Sequence, residues 1–508
     1  MIHPFKGETP MEETKTPKTS ETPQHPNVEI AVKNFGPIAE ATIDLQPLTV
    51  FVGPSNTGKT YFSTLIYALH GVFNGFSRFP SHLLTAILPA LLELEKTRID
   101  QETRTAVEEL RKTHQKIKVS DMSQRILDKQ QLRETLKLSD LPQQTRDEVQ
   151  STIKNSGIFE NELKRCFDLN TIEDLIQLTQ NQHNEMKVSL RISEENKNIW
   201  YLNIKAFKSN IIMDGLVNED VVLRIYHRTG LREVLSSHDI LPVLSAQREF
   251  KRERFYLPAA RSGIMQSHRV IASSLVERAT RGGLTPLEVP TFSGIVTDFM
   301  KQLILYEESD EPDEGMKHLA DALESEVLAG RILMKPTPSG YPEFLYQPQE
   351  MGKEVRLTRA ASMVSELAPV VLFLRGGIRP GDTLIIEEPE AHLHPGGQTE
   401  IALTLAGLVR AGVRVVVTTH SDWLLKEIAN LIRIGDLKRK GVSHLKKVES
   451  IHWLLPEEVG TWWFQKDGIV QQIPFDPTEG IEPKDYEDVA YKLYDRSVNL
   501  QDLLEKAG

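Results

Sequence analysis

Residues 48–60 read Leu48-Thr49-Val50-Phe51-Val52-Gly53-Pro54-Ser55-Asn56-Thr57-Gly58-Lys59-Thr60, an apolar run followed by the spacing G-x-x-x-x-G-K-T. Leu48–Val52 has the character of a strand buried on both faces. After the glycine-bounded loop, Phe62, Leu65, Ile66 and Leu69 recur at helical spacing along Lys59–His70. A buried strand, a glycine loop and a helix are the setting in which this motif cradles phosphate, and a plain glycine turn would not need it. Glycine lets the backbone curl so that its N–H groups face the anion, and the helix N-terminus adds a favourable dipole. Gly53, Pro54, Ser55, Asn56, Thr57 and Gly58 form the expected cradle. Lys59 would reach the β- and γ-phosphates, Thr60 would ligate Mg²⁺, and Tyr61 is counted with the nucleotide-binding set.

Two further apolar strands end in polar groups. Thr383–Ile386 runs into Glu387-Glu388-Pro389, and Val413–Thr419 runs into His420-Ser421-Asp422. An acidic strand end is common in turns, and a lone histidine is usually structural. In an open parallel sheet, however, ligands bind beyond the carboxyl ends of the strands. A phosphate loop, a carboxylate pair and an imidazole delivered at one such edge make a single site. One carboxylate can organise Mg²⁺ through water and the other can polarise an attacking water. The expectation is a nucleotide hydrolase.

Working outward, Val28–Asn34 and Ala41–Leu45 alternate as half-buried antiparallel strands. The first 27 residues are rich in Pro, Thr, Glu and Lys and are expected to be a disordered tail. From about 80 to 182 the chain is charged and helical, interrupted by Pro89, Pro142 and Gly157, which is too broken for a coiled-coil arm. Strand character returns at Val188–Ile192, Trp200–Ile204, Val221–Tyr226 and Phe255–Leu257, and helical spacing at 267–279 and 292–306. A proline-rich loop or hairpin is expected at 336–352, then alternating strands and helices over 360–435. The domain reading is a tail (1–27), the N-terminal lobe of an α/β head (28–75), a mainly helical insertion with some strands (76–250), the head's C-terminal lobe (251–440) and a small α+β region (441–508). That last region holds Trp453, Trp462 and Trp463, read as core or as a partner surface, and a final helix around 484–495.

At 508 residues, 40% apolar and 26% charged, the chain has material for two or three compact units. No apolar run approaches the roughly 18–20 residues that cross a bilayer, and the N-terminus lacks a signal pattern. The single cysteine, Cys166, allows neither an intrachain disulfide nor a cysteine metal cluster. A cytoplasmic protein without membrane partners is expected. The net charge of −11 argues against coating nucleic acid by overall charge. Two basic clusters, Arg248/Lys251/Arg252/Arg254 and Lys438/Arg439/Lys440/Lys446/Lys447, are either solvated surface or local DNA contacts.

The order of phosphate loop, long insertion, serine-bearing helix start, Glu387-Glu388-Pro389-Glu390-Ala391-His392-Leu393-His394-Pro395 and Thr418-Thr419-His420-Ser421 resembles ABC-class ATPases of the branch that includes RecF, SMC and OLD proteins. It is most similar to the AAA-family ATPases of bacterial anti-phage systems of PARIS or Septu type. Val32-Lys33-Asn34-Phe35-Gly36-Pro37-Ile38 matches the branch's opening strand. The resemblance covers 28–70 and 355–435 well and 255–305 in part.

It implies an α/β ABC-type head that hydrolyses ATP with Mg²⁺. Glu387 takes the Walker B metal position and Glu388 that of the catalytic base, with Lys59 and His420, the γ-phosphate sensor, completing the catalytic set. Glu387 stands where aspartate is usual. Ser362 takes the signature position that caps the γ-phosphate of a second copy, although Met363 and Val364 replace the usual glycines, and a simple helix cap is the alternative. His392 and His394 fall where the subunit interface lies, with a metal pair as the alternative. Arg261, in the Tyr256–Ser262 stretch, falls near the Q-loop and would link the nucleotide to the insertion. The implied assembly is a homodimer or higher homo-oligomer joined through an ATP sandwich, acting on a separate effector, a nuclease for instance. A RecF-like DNA-repair or tethering ATPase, for which DNA is the partner, is the second reading, and the motor of a membrane transporter a distant third.

Overall fold

The computed structural model describes residues 27–76, 134–137, 143, 158–176, 185–194, 197–207, 210–214, 222–226, 241–244, 253–268, 270–271, 292–308, 313–337, 341–442 and 452–507. Strands β1 (Asn27–Phe35), β2 (Ile38–Asp44) and β3 (Leu48–Val52) lead into helix α1 (Lys59–Phe76). Next come β4 (Glu134–Lys137), α2 (Ile158–Phe167), β5 (Met186–Glu194), β6 (Lys197–Phe207), β7 (Asn210–Asp214), β8 (Val222–Tyr226) and β9 (Leu241–Leu244). They are followed by β10 (Arg254–Leu257), α3 (Gly294–Ile304), α4 (Glu314–Ala322), β11 (Gly330–Pro336), β12 (Pro342–Pro348) and β13 (Val355–Arg356). The remainder is α5 (Ser362–Gly376), β14 (Thr383–Glu387), α6 (Pro395–Arg410), β15 (Arg414–Thr418), α7 (Asp422–Arg439), β16 (Val459–Phe464), β17 (Val470–Ile473) and α8 (Lys484–Ala507).

The centre is a six-stranded sheet in the order β10-β14-β15-β3-β16-β17. Its pairs are parallel except the last, β16–β17. Every residue of β3, β14 and β15 is buried, as both-face burial of a parallel strand requires. Alternate side chains divide the interior into two cores. Phe51, Ile385, Val416 and Tyr256 face one core, with α1 and the strands of the opening hairpin. Val50, Val52, Leu384, Ile386, Val415 and Val417 face the other, with α5, α6 and α7. At about 1.5–3 kcal/mol for each large apolar side chain fully buried, this two-sided packing is the main source of stability.

The opening hairpin belongs to an antiparallel five-stranded sheet, β2-β1-β5-β6-β7. Strands from the 76–250 segment therefore extend the sheet that begins at Asn27. The 336–352 stretch forms part of the β11–β12 hairpin, Pro336 pairing with Pro342. Most of the helical reading of 80–182 lies outside the described residues, as do 1–26 and Arg248, Lys251, Arg252, Lys446 and Lys447.

The tail differs from a separate small region. β16 pairs in parallel with β3, the phosphate-loop strand, and Phe464 packs edge-on against Phe51 and Phe62, at 5.1 and 6.1 Å between ring centres. Trp462 is buried in the same core. Helix α8 runs to Ala507 rather than stopping near 495.

Helix α7 lies directly on the backbone that precedes β16. Leu454 donates its N–H to the Leu431 carbonyl at 3.0 Å, and a Cβ on Gly435 would overlap the Leu454 carbonyl oxygen. Gly435→Ala is expected to cost about 1–3 kcal/mol of overpacking, more than the ~1 kcal/mol that alanine gains in a helix. Thermal unfolding should show a midpoint a few degrees lower; an unchanged or raised midpoint would mean that the two segments do not touch.

Candidate active site

The phosphate loop leaves β3 through two glycines that no other residue could replace. Gly53 (φ 134°) and Gly58 (φ 104°) both sit in the left-handed region. A Cβ on Gly53 would overlap the Phe464 carbonyl oxygen, and one on Gly58 would lie 2.5 Å from Ile38 Cγ1. The loop is thus walled by β16 on one side and the opening hairpin on the other. Lys59 turns back over it, donating from Nζ to the carbonyls of Gly53 and Pro54 at 2.7 Å each, while Thr57 Oγ1 donates to Pro54 at 2.9 Å. Thr60 is exposed on the first turn of α1, beside helix N–H groups with no intrahelical acceptor. Tyr61 packs its ring against Phe35, Phe167 and the backbone of Gly36.

Lys59 is buried, and burial pushes its pKa down from 10.5 to about 8 against the opposing pull of Glu388, Glu390 and Glu387. That pull shows the loop lysine and the carboxylate strand end sharing one local field. Glu387, the last residue of β14, is buried, and both its oxygens accept hydrogen bonds, from Tyr256 Oη at 2.9 Å and from the Ala259 N–H at 3.0 Å. Tyr256 Oη also lies 2.9 Å from Ser63 Oγ on α1. Glu387 is therefore clamped between β10 and the loop that follows it.

Glu388 behaves differently. Its backbone is left-handed (φ 45°), pinned by its N–H to the Thr418 carbonyl at 2.9 Å, and its side chain is 45% exposed. His420 Nε2 lies 3.8 Å from Glu388 Oε1. Burial and the nearby Lys59 charge lower the His420 pKa, with Glu388 opposing them, so the ring is neutral near pH 7. Glu390 supports the histidine from behind: its Oε1 accepts from Thr419 Oγ1 at 2.6 Å and from the His420 N–H at 2.8 Å.

Gly53–Thr60, Glu387, Glu388 and His420 thus come together at one sheet edge. Ser362 does not join them: no hydrogen bond among the described residues ties it to the phosphate loop. It is the exposed first residue of α5, and the capping position is taken by Ala361, whose side chain forms no cap bond. Within the first turn, the N–H groups of Val364 and Ser365 donate to the Ala361 carbonyl. His394 caps α6, accepting from the Gly396 N–H at 3.3 Å, whereas His392 (φ 62°) lies 3.8 Å from Glu366. The two histidines have separate partners, and among the described residues no group of three or more His, Cys, Asp or Glu could hold a metal. A Mg²⁺ that takes most ligands from phosphate and water, with one or two protein oxygens, fits Thr60 and Glu387.

Residues 28–425 match the model of the AAA ATPase domain. The chain belongs to this family. Among solved structures it is similar to an SMC head bound to the C-winged helix domain of ScpA, at 11% identity and a TM-score of 0.38 over 88% of this chain and 96% of that one. An SMC head with an extended coiled coil bound to the C-terminal domain of ScpA, derived from Pyrococcus furiosus, gives 10% identity and a TM-score of 0.38 over 92% and 100%. The SMC head domain of Thermotoga maritima gives 10% and 0.32 over 89% and 99%. No curated protein matches the chain.

Tyr256, Glu390 and Phe464 were not singled out by sequence as parts of the site. Only tertiary pairing brings Tyr256 beside Glu387 or Phe464 beside Gly53, and no local spacing signals either. Arg261 is placed differently from the expected link to the insertion: it points inward, onto the carbonyls of Glu387 and Glu388.

The Lys59 shift has a sign. The folded pKa of Lys59, about 8, lies below 10.5, so holding the charge opposes folding below pH 8, and that cost fades between the two values. Bound phosphate favours the charged form. ATP affinity should therefore fall as pH rises past about 8, and binding near that pH should take up protons. Titration calorimetry in buffers of different ionisation enthalpy measures both; the same pH dependence in Lys59→Met would assign the effect elsewhere.

Proposed function

We propose that this AAA ATPase domain protein hydrolyses ATP at a site completed by a second copy, and that the cycle switches a separate effector in an anti-phage defence complex. The observation that carries the hydrolytic reading is the exposed Glu388 carboxylate, 3.8 Å from His420 Nε2, at the sheet edge where the phosphate loop begins. Lys59 would exchange its two loop carbonyls for phosphate oxygens. Glu388 would accept the proton of the attacking water, and His420 would orient Glu388 and contact the terminal phosphate. Mg²⁺ held by Thr60, and through water by Glu387, would offset the phosphate charge. General-base help of this kind contributes ~10²–10⁴-fold, so Glu388→Gln should reduce turnover by about that factor while leaving nucleotide bound.

The shared site rests on Ser362. Its helix start is exposed and supplies a hydroxyl and backbone N–H groups suited to a phosphate that its own loop does not present. Light scattering of Glu388→Gln decides the matter. A doubled or higher mass with Mg-ATP, lost in Lys59→Ala and in Ser362→Arg, is expected. A monomer carrying ATP would end the shared-site reading, and an oligomer indifferent to ATP would mean constitutive assembly.

A protein effector is favoured by α8. Tyr491, Leu493, Tyr494, Leu500, Leu503 and Leu504 are all exposed, Leu504 at 75%. Leu493, Leu500 and Leu504 share one helical face, the pattern of a helix laid into a partner's groove. The DNA-tethering reading has less support from the described basic residues. Arg254 is enclosed by Glu162 and Tyr67, and Arg439 pairs with Asp436 and Glu457. Among the described residues no helix is long and apolar enough to cross a membrane. Deleting residues 484–507 should abolish copurification with an effector encoded beside this chain and leave ATP hydrolysis intact. Undiminished capture by the shortened protein would place the docking surface elsewhere.

A further inference from the structure

We infer that Arg261 is a positioning residue that locks the helix headed by Ser362 to the backbone that carries Glu388. The inference rests on the proposed roles of those two residues. Arg261 is completely enclosed, at 0% exposure, and is the largest fully buried side chain among the described residues. It reaches three segments at once. Its Nη1 donates to the Glu387 carbonyl at 2.6 Å and to the Pro258 carbonyl at 3.3 Å, and its Nη2 donates to the Glu388 carbonyl at 3.0 Å. Its Nε faces Glu366 on α5, 3.1 Å from the carbonyl and 3.0 Å from Oε2. Glu366 is itself buried, with its other oxygen 3.8 Å from His392 Nε2, in the loop just beyond Glu388. The following turn adds a parallel tie, Gln266 Nε2 donating to Ser365 Oγ at 3.1 Å.

Packing alone does not call for this arrangement. A buried ion pair is often no more stabilising than apolar residues of the same volume, because both charges must be stripped of water. What the guanidinium supplies, and an apolar side chain cannot, is a fixed fork of donors. Two prongs hold successive carbonyls at the point where the chain turns from β14 into the left-handed Glu388. A residue held in that region persists only where its surroundings over-determine it. The third direction of the fork leads through Glu366 to the helix start one turn away, four residues from Ser362. A phosphate seated on that helix start would bear, through Glu366 and Arg261, on the aim of the Glu388 carboxylate in the same copy.

Arg261→Lys keeps the buried charge and its attraction to Glu366 but cannot hold both carbonyls. Arg375→Lys is the control: Arg375 lies on α5, the helix that carries Glu366, pairs with buried Glu324 and donates to the Ile332 carbonyl at 2.7 Å, away from Glu388. Steady-state ATP hydrolysis and thermal melts are measured for both variants. Misplacement of a catalytic group by about 1 Å costs up to ~10²-fold. Arg261→Lys is therefore expected to lower kcat by about 10- to 100-fold with KM within about threefold, and Arg375→Lys to leave kcat unchanged at a similar loss of melting temperature. Equal kcat in Arg261→Lys and the parent would overturn the inference, as would equal kcat losses in the two variants. If Arg261→Lys does not fold, Glu366→Gln, which retains the acceptor and removes the charge, takes its place with the same criteria. Failure of the shared-site reading is seen separately, as a Glu388→Gln protein that stays monomeric with ATP.

Discussion

The site depends on the register of three parallel strands. Glu387 lies opposite Thr418, and Thr418 lies opposite Phe51, so β14, β15 and β3 reach the same edge together. The phosphate loop begins two residues after Phe51, Glu388 follows Glu387 directly, and His420 comes two residues after Thr418. A one-residue slip in any of these ladders would exchange side chains between the two faces of the sheet. Here such a slip would drive Leu384 and Ile386 into the core that holds Ile385, a change of many buried contacts at once. The apolar alternation that stabilises the sheet is therefore also what aligns the chemistry.

At that edge the charges act on one another at close range. Three carboxylates face a single buried ammonium, and each has a different restraint. Glu387 is fixed by two donors, Glu390 is buried behind His420 with its pKa raised by that burial, and Glu388 alone keeps substantial exposure. A fixed carboxylate suits a metal-bound water, whereas an exposed one beside a neutral imidazole suits proton transfer. Lys59 meanwhile satisfies two donors on its own loop, on the carbonyls of Gly53 and Pro54.

What could be read from sequence follows from how local each signal is. The phosphate loop, the paired glutamates and His420 lie at the ends of apolar runs, and the rule that parallel sheets bind ligands at one edge joins them without further information. The strands of the opening hairpin announce themselves by alternation. The long-range pairings were hidden. Nothing in Val459–Phe464 says that it joins β3 rather than a separate domain, since its tryptophans suit either. Nor does the Tyr256–Arg261 stretch reveal that its tyrosine serves Glu387 while its arginine turns inward; both results come from β10 pairing with β14. Ser362 was legible as a helix start, but only the dihedrals show the cap one residue earlier, at Ala361.

The same long-range logic explains how the head closes although most of the 76–250 segment separates α1 from β10. Extending a flexible loop is cheap, about 0.6 kcal/mol for each doubling of its length, so an insertion is tolerated if its two ends are held. Arg254, at the start of β10, lies over the Tyr67 ring at 3.8 Å to its centre and pairs with Glu162 on α2 at 2.7 Å. Arg165 joins Glu162 to Asp298 on α3, and Tyr67 Oη donates to the same Asp298 at 2.8 Å. Four elements far apart in sequence, α1, α2, β10 and α3, are thereby fastened where the chain leaves the head and returns. Since β10 also carries Tyr256 to Glu387, one member of that clamp, Arg254, and one donor that fixes the Glu387 carboxylate sit on the same strand of four residues. The clamp thus ties the two ends of the 76–250 segment to the same strand that abuts Glu387.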